Sequence, residues 1–443
     1  MKTEKSTTEK VTNDTAQKPN KLRFFVTILV ALLIGYGIGI TKIAFDWHGF
    51  QPHLDVASKE PPPSVTNLDF TLFWTVLDKI ENNYYDKKAI NPQKILNGAI
   101  TGMVQSLDDP YTMYLPPAQN TDFKQGMAGK FEGIGAELGM KSKQIIIVAP
   151  LDGSPAQKAG IKPGDAILKV NEQSVSGWSL NQVVEKIRGP KGSAVTLTIL
   201  AKASGQPKDV KITRDTITVK SLTSWTKSVK DVEGIDKTSS TLTSNADNKV
   251  VYIRLSQFGD STNKEWTDLA AKVNQQIQKD PSIKGVVFDL RNNPGGYLSD
   301  AVYIASEFIK DGTAVMQEDK NGERESYPVS GNGVLTDVPV VVLINKGSAS
   351  AAEIVSGALR DHERAKLVGE TSFGKGTIQQ AEDLGGGAGL HVTLAKWLTP
   401  NGTWVGNGKN GSGLTPDVAV SIDTKNIDHD AQLERAIETL LQQ

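Results

Sequence analysis

Residues 345–380 read NKGSASAAEIVSGALRDHERAKLVGETSFGKGTIQQ, and they follow an apolar run, VPVVVLI, at residues 338–344. The run predicts a buried strand, and the periodicity of the residues after Ser350 predicts a helix that begins just beyond it. A serine at such a strand-to-helix turn, flanked by side chains too small to cover it, exposes its hydroxyl beside the helix N-terminus. Ser350 therefore occupies the position expected of a nucleophile.

A lysine lies downstream in the same stretch. Lys375 stands between Gly374 and Gly376, and Gln379 follows on the same segment. Glycines on both sides allow the backbone to approach a neighbouring element and to point the lysine inward. A lysine amine is a base only when it is neutral, so we expect burial among apolar neighbours such as Phe373 to lower its pKa. The amide of Gln379 can hold the amine without adding a negative charge.

Two motifs in this stretch resemble those of a known family. GSASAAEI at residues 347–354 and GETSFGKGTIQ at residues 369–379 are similar to motifs of the carboxyl-terminal-processing (tail-specific) peptidases, which use a serine–lysine dyad. The resemblance implies that Ser350 is the nucleophile, Lys375 its general base and Gln379 the residue that orients the lysine. It also implies an α/β fold with a crotonase-like core of repeated ββα units.

A second turn carries two adjacent glycines. The apolar strand predicted at residues 285–290 runs into RNNPGG, which ends in Gly295 and Gly296. Glycines at a strand exit free backbone N–H groups to face a ligand, although a plain turn before the helix predicted at residues 300–308 is an alternative. The resemblance implies that Gly295 or Gly296 supplies one half of an oxyanion hole and that the amide of Ala351 supplies the other.

Other interpretations of these residues remain open. Ser350 could be a helix N-cap, and Lys375 could be a solvated loop charge. Residues 369–375 also fit the phosphate-binding pattern GxxxxGK. Gly376 stands where that loop needs Ser or Thr for magnesium, which disfavours nucleotide binding.

The composition excludes several kinds of chemistry. The 443 residues include no cysteine, which excludes disulfides, thiol catalysis and cysteine-ligated metal and suits an exported protein. The net charge of −1 gives no basic field that would favour nucleic acid. A Ser-His-Asp triad is disfavoured, because His362 lies in a charged run and His391 in an alternating strand pattern, where surface or packing roles are expected. No metal or organic cofactor is implied.

The N-terminal residues are typical of a membrane anchor. Residues 1–22 are polar and predict a cytoplasmic tail, and the predicted transmembrane segment at residues 23–42 contains an uncharged run, FFVTILVALLIGYGIGIT, long enough to cross a bilayer. Basic residues precede the run and favour a cytoplasmic N-terminus with the rest of the chain outside. A cleaved signal peptide is the alternative, but the run lacks an A-x-A-like exit. Residues 43–66, with three consecutive prolines, predict a stiff linker.

Two amphipathic helices are predicted in an N-terminal helical region at residues 67–125. Apolar residues recur at three- and four-residue spacing in the first helix: Phe70, Phe73, Trp74, Leu77, Ile80 and Tyr84. The second helix ends at DDPY, residues 108–111. In the family such helices cap the protease or pair protomers, so a homodimer is what the resemblance implies.

Residues 126–215 predict a small β-rich module. The block GSPAQKAGIKPGD at residues 153–165 and the alternating pattern at residues 195–199 resemble a PDZ domain. PDZ domains add a peptide strand to a sheet edge and bind the terminal carboxylate through backbone N–H groups. The groups implied for this role are those of Gly133, Ile134, Gly135 and Ala136.

The remaining residues complete a predicted peptidase core at residues 216–425, followed by a C-terminal helix at residues 426–443. Polar residues 223–248 are predicted to be an insertion or long hairpin. The sequence as a whole predicts a membrane-anchored serine endopeptidase, working outside the cytoplasm, that cuts protein or peptide substrates near their free C-termini. The alternative is a membrane-tethered PDZ scaffold with an inert hydrolase core.

Overall fold

The computed structural model describes most of the chain: residues 43–48, 51–56, 69–141, 144–151, 153–201, 205–406, 413–423, 426 and 428–443. Within these ranges, none of the helices combines the length and the apolar character that a membrane crossing requires. The predicted anchor at residues 23–42 and part of the predicted linker lie outside the described residues.

The chain divides into two compact units, Met1–Asn91 and Pro92–Gln443. In the first unit the described residues form an antiparallel hairpin of β1 (Ile43–His48) and β2 (Gln51–Val56), followed by the helix α1 (Thr71–Asn83). The composition of the predicted linker did not indicate these strands. The apolar spacing did predict α1, and none of the side chains of α1 is buried.

The second unit begins with two helices, α2 (Pro92–Gln105) and α3 (Pro117–Met127), and the short strand β3 (Met113–Leu115) between them. The second predicted helix corresponds to α2. It ends at Gln105, before the DDPY segment that the sequence marks as its stop. This places residues 108–112 in a loop that leads directly into β3.

The predicted PDZ-like residues form an antiparallel sheet with the strand order β10-β9-β7-β6-β5 and with β8 beside β7. Its strands are β5 (Ala136–Lys141), β6 (Gln144–Pro150), β7 (Ala166–Val170), β8 (Gln173–Ser174), β9 (Ala194–Leu200) and β10 (Pro207–Thr213). Two helices complete the module: α4 (Pro155–Lys158) and α5 (Leu180–Ile187). Alternate residues of β9 are buried, as its period of two predicts. A ribbon of β4 (Lys130–Gly133) and β11 (Asp215–Thr218) flanks the module.

A six-stranded sheet with the order β12-β13-β14-β17-β18-β21 forms the centre of the second unit. Its strands are β12 (Leu222–Ser228), β13 (Lys249–Leu255), β14 (Ile283–Asp289), β17 (Val340–Ile344), β18 (Ala365–Gly369) and β21 (Val418–Ala419). All neighbours are parallel except β12, which pairs antiparallel with β13 at one edge. Every residue of β17 is buried, as expected for a parallel strand that is covered on both faces.

Helices cover both faces of this sheet. Alternate residues of β17, such as Val340 and Val342, belong to a buried cluster with three helices: α7 (Thr262–Lys279), α8 (Leu298–Phe308) and α9 (Ala351–Asp361). Val341 and Leu343 point the other way and pack with the helix α10 (Ala431–Leu441). This layering confirms the predicted α/β class.

A second, antiparallel sheet has the order β16-β15-β20-β19, with β3 beside β20. Its further strands are β15 (Thr313–Glu318), β16 (Arg324–Pro328), β19 (Thr377–Asp383) and β20 (Gly389–Leu398). The register places His391 of β20 between Ala381 of β19 and Met113 of β3. The sheet therefore brings the N-terminal loop at residues 108–112 to the segment that carries Lys375.

Of the two alternatives predicted for residues 223–248, the long hairpin is confirmed, because β12 pairs antiparallel with β13, the next strand along the chain. The alternative of an insertion is wrong for most of that segment. β12 is the edge strand of the central sheet, and a short helix, α6 (Ser240–Ser244), follows it. Val229, Val232 and Leu242 are buried against the face that α10 covers. An edge strand faces solvent along one side, so it can be polar and still belong to the sheet. For this reason the polar composition did not indicate that the segment is integral to the core.

Candidate active site

Ser350 lies at the predicted turn between β17 and α9. Its backbone has φ 54° and ψ −116°, a conformation that residues other than glycine rarely adopt. Such strain persists only where the surroundings enforce it, and it is concentrated at functional sites. The N–H of Ala349 donates to the carbonyl of Asn293 over 2.9 Å, which joins this turn to the double-glycine turn.

Glu353 holds this turn and the lysine segment together. The carboxylate is fully buried, and its Oε2 accepts hydrogen bonds from the backbone N–H groups of Ser350 (2.8 Å) and Lys375 (2.9 Å). Its Oε1 accepts from the hydroxyl of Ser372 (2.5 Å) and from the N–H of Gly374 (2.7 Å). Burial raises the pKa of Glu353, although these four hydrogen bonds favour the ionised form. Sequence reasoning assigned no role to Glu353, but the Ser-x-x-Glu spacing of a capping box is a signal that points to it.

One cavity of about 450 Å³ contains the predicted site residues Ser350, Lys375, Gln379, Gly295 and Gly296. Its other walls are mostly apolar and include side chains from β3, α3 and β20. The structure therefore brings together predicted residues from three separate segments of the chain. A cavity of this kind, largely apolar with a few convergent polar groups, is typical of a ligand site.

The environment of Lys375 differs in one respect from the prediction. Burial lowers the pKa of Lys375, as expected, while the negative charges of Glu353 and Asp109 act in the opposite direction. Phe373 is not the apolar neighbour, because its side chain is 51 % exposed. The aromatic contact comes from Tyr111, whose ring centroid is 5.2 Å from Nζ of Lys375. Sequence reasoning missed this contact.

Gln379 is held by two threonines. Its Nε2 donates to Oγ1 of Thr377 over 2.8 Å and to Oγ1 of Thr393 over 3.1 Å. With the amide nitrogen engaged in this way, Oε1 is the group of Gln379 that can accept a further hydrogen bond. The structure thus gives Gln379 a fixed orientation in the cavity wall.

The two glycines of the second turn have different environments. The N–H of Gly295 donates to Oδ1 of Asn293 over 2.8 Å, so it is already engaged within the turn. A Cβ on Gly296 would lie 1.7 Å from the carbonyl oxygen of Phe258, and its φ is 144°, so only glycine fits there. The N–H of Ala351 is at the first position of α9, where a helix leaves its N–H groups without intrahelical acceptors. The N–H groups of Gly296 and Ala351 are therefore better suited than that of Gly295 to the predicted role of oxyanion donors.

The predicted carboxylate-binding residues lie between β4 and β5. Ile134 is buried in the core of the module, and its carbonyl accepts from the N–H of Ala156 over 2.8 Å. Gly135 has φ 71°, and a Cβ there would lie 2.5 Å from Cβ of Ser154, so the loop is closely packed. β5 is the outermost strand of its sheet, and α5 packs beside it. This leaves a sheet edge to which a peptide strand could be added.

The two histidines occupy different environments. Nε2 of His362 lies 2.8 Å from the carbonyl oxygen of Thr313, at the end of α9, which is a packing role. His391 is on β20, as predicted, and lines the cavity, with its ring edge-on to Phe123 at 4.6 Å between centroids. Burial lowers the pKa of His391, and the charge of Lys375 lowers it further.

The phosphate-binding interpretation of residues 369–375 is wrong. A phosphate-binding loop leads into a helix whose N-terminus faces the phosphates, whereas this segment leads into the strand β19. Moreover, the N–H groups of Gly374 and Lys375 already donate to a carboxylate and cannot cradle an anion.

Comparisons with known proteins identify the parts of the chain. The model of peptidase family S41 matches residues 249–420, that of the PDZ domain residues 124–200, and that of the activating protease CtpB N-terminal domain residues 47–118. A solved structure from Bacteroides fragilis NCTC 9343, described as an S41 protease, is similar with a TM-score of 0.52 and 14 % identity, covering 83 % of this chain and 96 % of that one. This last likeness shows the fold alone.

Curated relatives extend the match over most of the chain. It is 39 % identical over 346 residues to the carboxy-terminal processing protease CtpA of Bacillus subtilis (strain 168), covering 78 % of this chain and 67 % of the relative. It is 38 % identical over 348 residues to a probable CtpA-like serine protease of Staphylococcus epidermidis (strain ATCC 12228), covering 78 % and 64 %. The chain thus spans about two thirds of the length of these relatives. The resemblance stated from the motifs is confirmed: the chain belongs to peptidase family S41, as a serine-type peptidase with a PDZ domain.

Proposed function

We propose that the chain is a membrane-anchored endopeptidase that cuts protein substrates near their C-termini with Ser350 as nucleophile and Lys375 as general base. The observation that carries this proposal is one carboxylate oxygen that binds both Ser350 and Lys375. Oε2 of Glu353 accepts from the N–H groups of both residues, and both line the same cavity. Nucleophile and base are thereby fixed to one rigid group, as efficient catalysis requires.

The reaction follows from these positions. The neutral amine of Lys375 takes the proton of the Ser350 hydroxyl as Oγ forms a bond to the carbonyl carbon of the substrate. The resulting oxyanion faces the N–H groups of Gly296 and Ala351. When the carbon–nitrogen bond breaks, the leaving amine takes the proton from Lys375, and an acyl-enzyme remains. Water then attacks the carbon of that ester and gives a proton to Lys375, which passes it to Oγ of Ser350 as the carbon–oxygen bond breaks and the free acid leaves.

The PDZ domain supports selection of substrates by their C-termini. The edge of β5 and the loop from Gly133 to Ala136 could bind the last residues of a substrate and its terminal carboxylate. Binding of the tail would raise the local concentration of nearby peptide bonds at Ser350. The relative from Bacillus subtilis bears the description of a carboxy-terminal processing protease, which agrees with this substrate class.

The location and assembly are parts of the same proposal. The uncharged run at residues 24–41 and the basic residues before it support a membrane anchor with the peptidase outside the cytoplasm. Exposed apolar side chains on α1, among them Leu72 and Trp74, support pairing of two copies through the N-terminal helices. Membrane fractionation and sedimentation of the full chain test these two features.

The central experiment is covalent labelling and cleavage. Wild type should react with an active-site phosphonate and cleave a protein substrate, whereas Ser350→Ala should do neither. Lys375→Ala should lose activity to a similar extent, because nucleophile and base act as a unit. His391→Ala is the matched control, since it removes the other basic group of the cavity and should leave the dyad working. Substantial cleavage by Lys375→Ala would contradict the proposal. So would a result in which only His391→Ala loses cleavage.

A further inference from the structure

The loop at residues 108–112, between α2 and β3, contributes one residue, Tyr111, to the wall of the cavity next to the lysine. Tyr111 lines the cavity with its ring near Nζ of Lys375. An ammonium group near an aromatic face is attracted by it, whereas a neutral amine is not. The Tyr111 ring therefore favours the protonated lysine, which is the species formed when the serine loses its proton.

Asp109 organises this loop. Its Oδ1 accepts from the N–H of Tyr111 over 3.0 Å, and its Oδ2 accepts from the hydroxyl of Thr112 over 2.6 Å. Burial alone would raise the pKa of Asp109, but hydrogen bonds from Thr112, Thr393 and Tyr111 hold it below its usual range. Asp109 is therefore a fixed negative charge at neutral pH.

Thr112 and Thr393 connect this charge to the glutamine. Because the Thr112 hydroxyl gives its hydrogen to Asp109, its oxygen is an acceptor, and the N–H of Thr393 donates to it over 3.1 Å. The Thr393 hydroxyl contributes to the lowered pKa of Asp109, as a hydrogen bond to the carboxylate would. A hydroxyl that donates in this way has its oxygen free to accept, and Nε2 of Gln379 donates to that oxygen over 3.1 Å.

The direction of these hydrogens decides which way the Gln379 amide points. A glutamine side chain has a donor end and an acceptor end of nearly the same shape, and only its partners distinguish them. A free threonine hydroxyl could face either end, because it can donate or accept. A Thr393 hydroxyl that donates to Asp109 has only its oxygen left for Gln379, so the amide nitrogen faces it and the amide oxygen is left for the cavity.

We propose that Asp109 is a positioning residue for the general base. It orders two threonine hydroxyls so that the Gln379 amide presents its oxygen, and not its nitrogen, to Lys375. An amide oxygen can accept from the lysine amine in both of its protonation states, whereas an amide nitrogen would oppose the ammonium. The inference rests on the proposed function, since it takes Lys375 to be the base.

The electrostatic test is Asp109→Asn, which keeps the shape and removes the charge. The charged and titratable groups that face Lys375 are Glu353, Asp109, Tyr111 and His391. Removing a negative charge from this set disfavours the ammonium, so the acid limb of kcat/KM against pH should move to lower pH. Since the amide of Gln379 then also loses its fixed direction, kcat should fall about tenfold with little change in KM.

Asp108→Asn is the matched control for this variant. Asp108 is the preceding residue, is exposed and has φ 53°, which asparagine tolerates. The Asp108→Asn variant should have the same kcat and the same pH profile as the wild type. Both variants are compared by thermal unfolding so that a loss of fold is not mistaken for a loss of function.

A double-mutant cycle tests the orientation independently. Thr393→Val removes one of the two acceptors of the amide nitrogen and leaves Thr377, and it should lower kcat about tenfold without moving the acid limb. In a Gln379→Ala background the same substitution should cost little, because there is no amide left to orient. This cycle tests the link between Thr393 and Gln379, on which the inference depends, even if Asp109→Asn does not fold.

Two outcomes would overturn the inference. In the first, the acid limb of folded Asp109→Asn coincides with that of Asp108→Asn and the wild type. In the second, Thr393→Val costs the same factor with and without Gln379. Failure of the proposed function itself would look different, because Lys375→Ala would then retain cleavage. The two failures are therefore distinguishable.

Discussion

Replacing Glu353 with glutamine tests how the nucleophile and the base are held together. The buried carboxylate accepts four hydrogen bonds, two at each oxygen. Glutamine has the same shape but only one accepting oxygen. Its oxygen should face Ser350 and Lys375, because both of those donors are rigid backbone N–H groups. The new amide nitrogen would then face the Ser372 hydroxyl and the N–H of Gly374.

The cost can be worked out from these partners. The Ser372 hydroxyl can turn and accept from the new amide, but the N–H of Gly374 can only donate. Two donors therefore lose their acceptor, the N–H of Gly374 and the hydroxyl hydrogen of Ser372, and each loss costs about 1–3 kcal/mol of the free energy of unfolding. The two remaining bonds to Ser350 and Lys375 change from charge-assisted to neutral and lose about half of their strength. We expect looser positioning of the dyad and a fall in kcat of about 10- to 100-fold.

The pH profile gives a second, independent signature. The charge of Glu353 raises the pKa of Lys375 against the effect of burial. In Glu353→Gln that charge is gone, so the pKa of the lysine should fall further. Because the base must be neutral to act, the acid limb of kcat/KM should move to lower pH. The assay is cleavage of a short peptide across pH, together with chemical denaturation at neutral pH.

Glu307→Gln is the matched control. Glu307 is a second buried carboxylate, on α8, whose pKa burial raises, and it accepts from the N–H of Val334 over 3.3 Å. It is not among the residues that line the cavity. This variant should change stability without moving the acid limb. If Glu307→Gln reproduced the loss in kcat and the shift, or if Glu353→Gln kept the wild-type profile, the reasoning about Glu353 would be refuted.

Two further predictions concern the oxyanion turn and the PDZ domain. Gly296→Ala should lower kcat by about 10²-fold or more and also lower thermal stability, because the added Cβ would displace the turn from the carbonyl of Phe258; unchanged kinetics would remove Gly296 from the oxyanion hole. A protein substrate with an amidated C-terminus should be cleaved more slowly than its acid form by wild type, and the difference should shrink in Gly135→Ala, where the added Cβ meets Ser154. Gly160→Ala is the control, with a similar φ of 77° and open space around it, and equal rates for acid and amide in the wild type would mean that the domain does not read the terminus.

The sequence was sufficient wherever a local pattern determines the structure. The apolar run of β17 predicted a strand because a parallel strand covered on both faces must be apolar throughout. The small residues around Ser350 predicted the turn because larger side chains would not fit there. The predicted helix at residues 300–308 agrees with α8 to within two residues.

What the sequence did not indicate comes from contacts between distant segments. Tyr111 and Lys375 meet only because β3 pairs with β20, and no periodicity encodes that pairing. Phe373 was expected to be buried because it is apolar and two residues from Lys375. It is exposed because its neighbour Ser372 is fixed inward by bonds to Glu353 and to the N–H of Leu414.

The pairing of β20 with β3, β15 and β19 determines when the active site can form during synthesis of the chain. Chains are synthesised from the N-terminus, so β20 is made after every other strand of its sheet. A nascent chain that ends before residue 389 already contains the serine turn and the lysine, but it lacks the strand that orders the walls around them. Peptide-bond hydrolysis should therefore begin only after that strand has been made and has joined the sheet. The active site is thus complete only in a chain that includes β20, the last strand of its sheet to be synthesised.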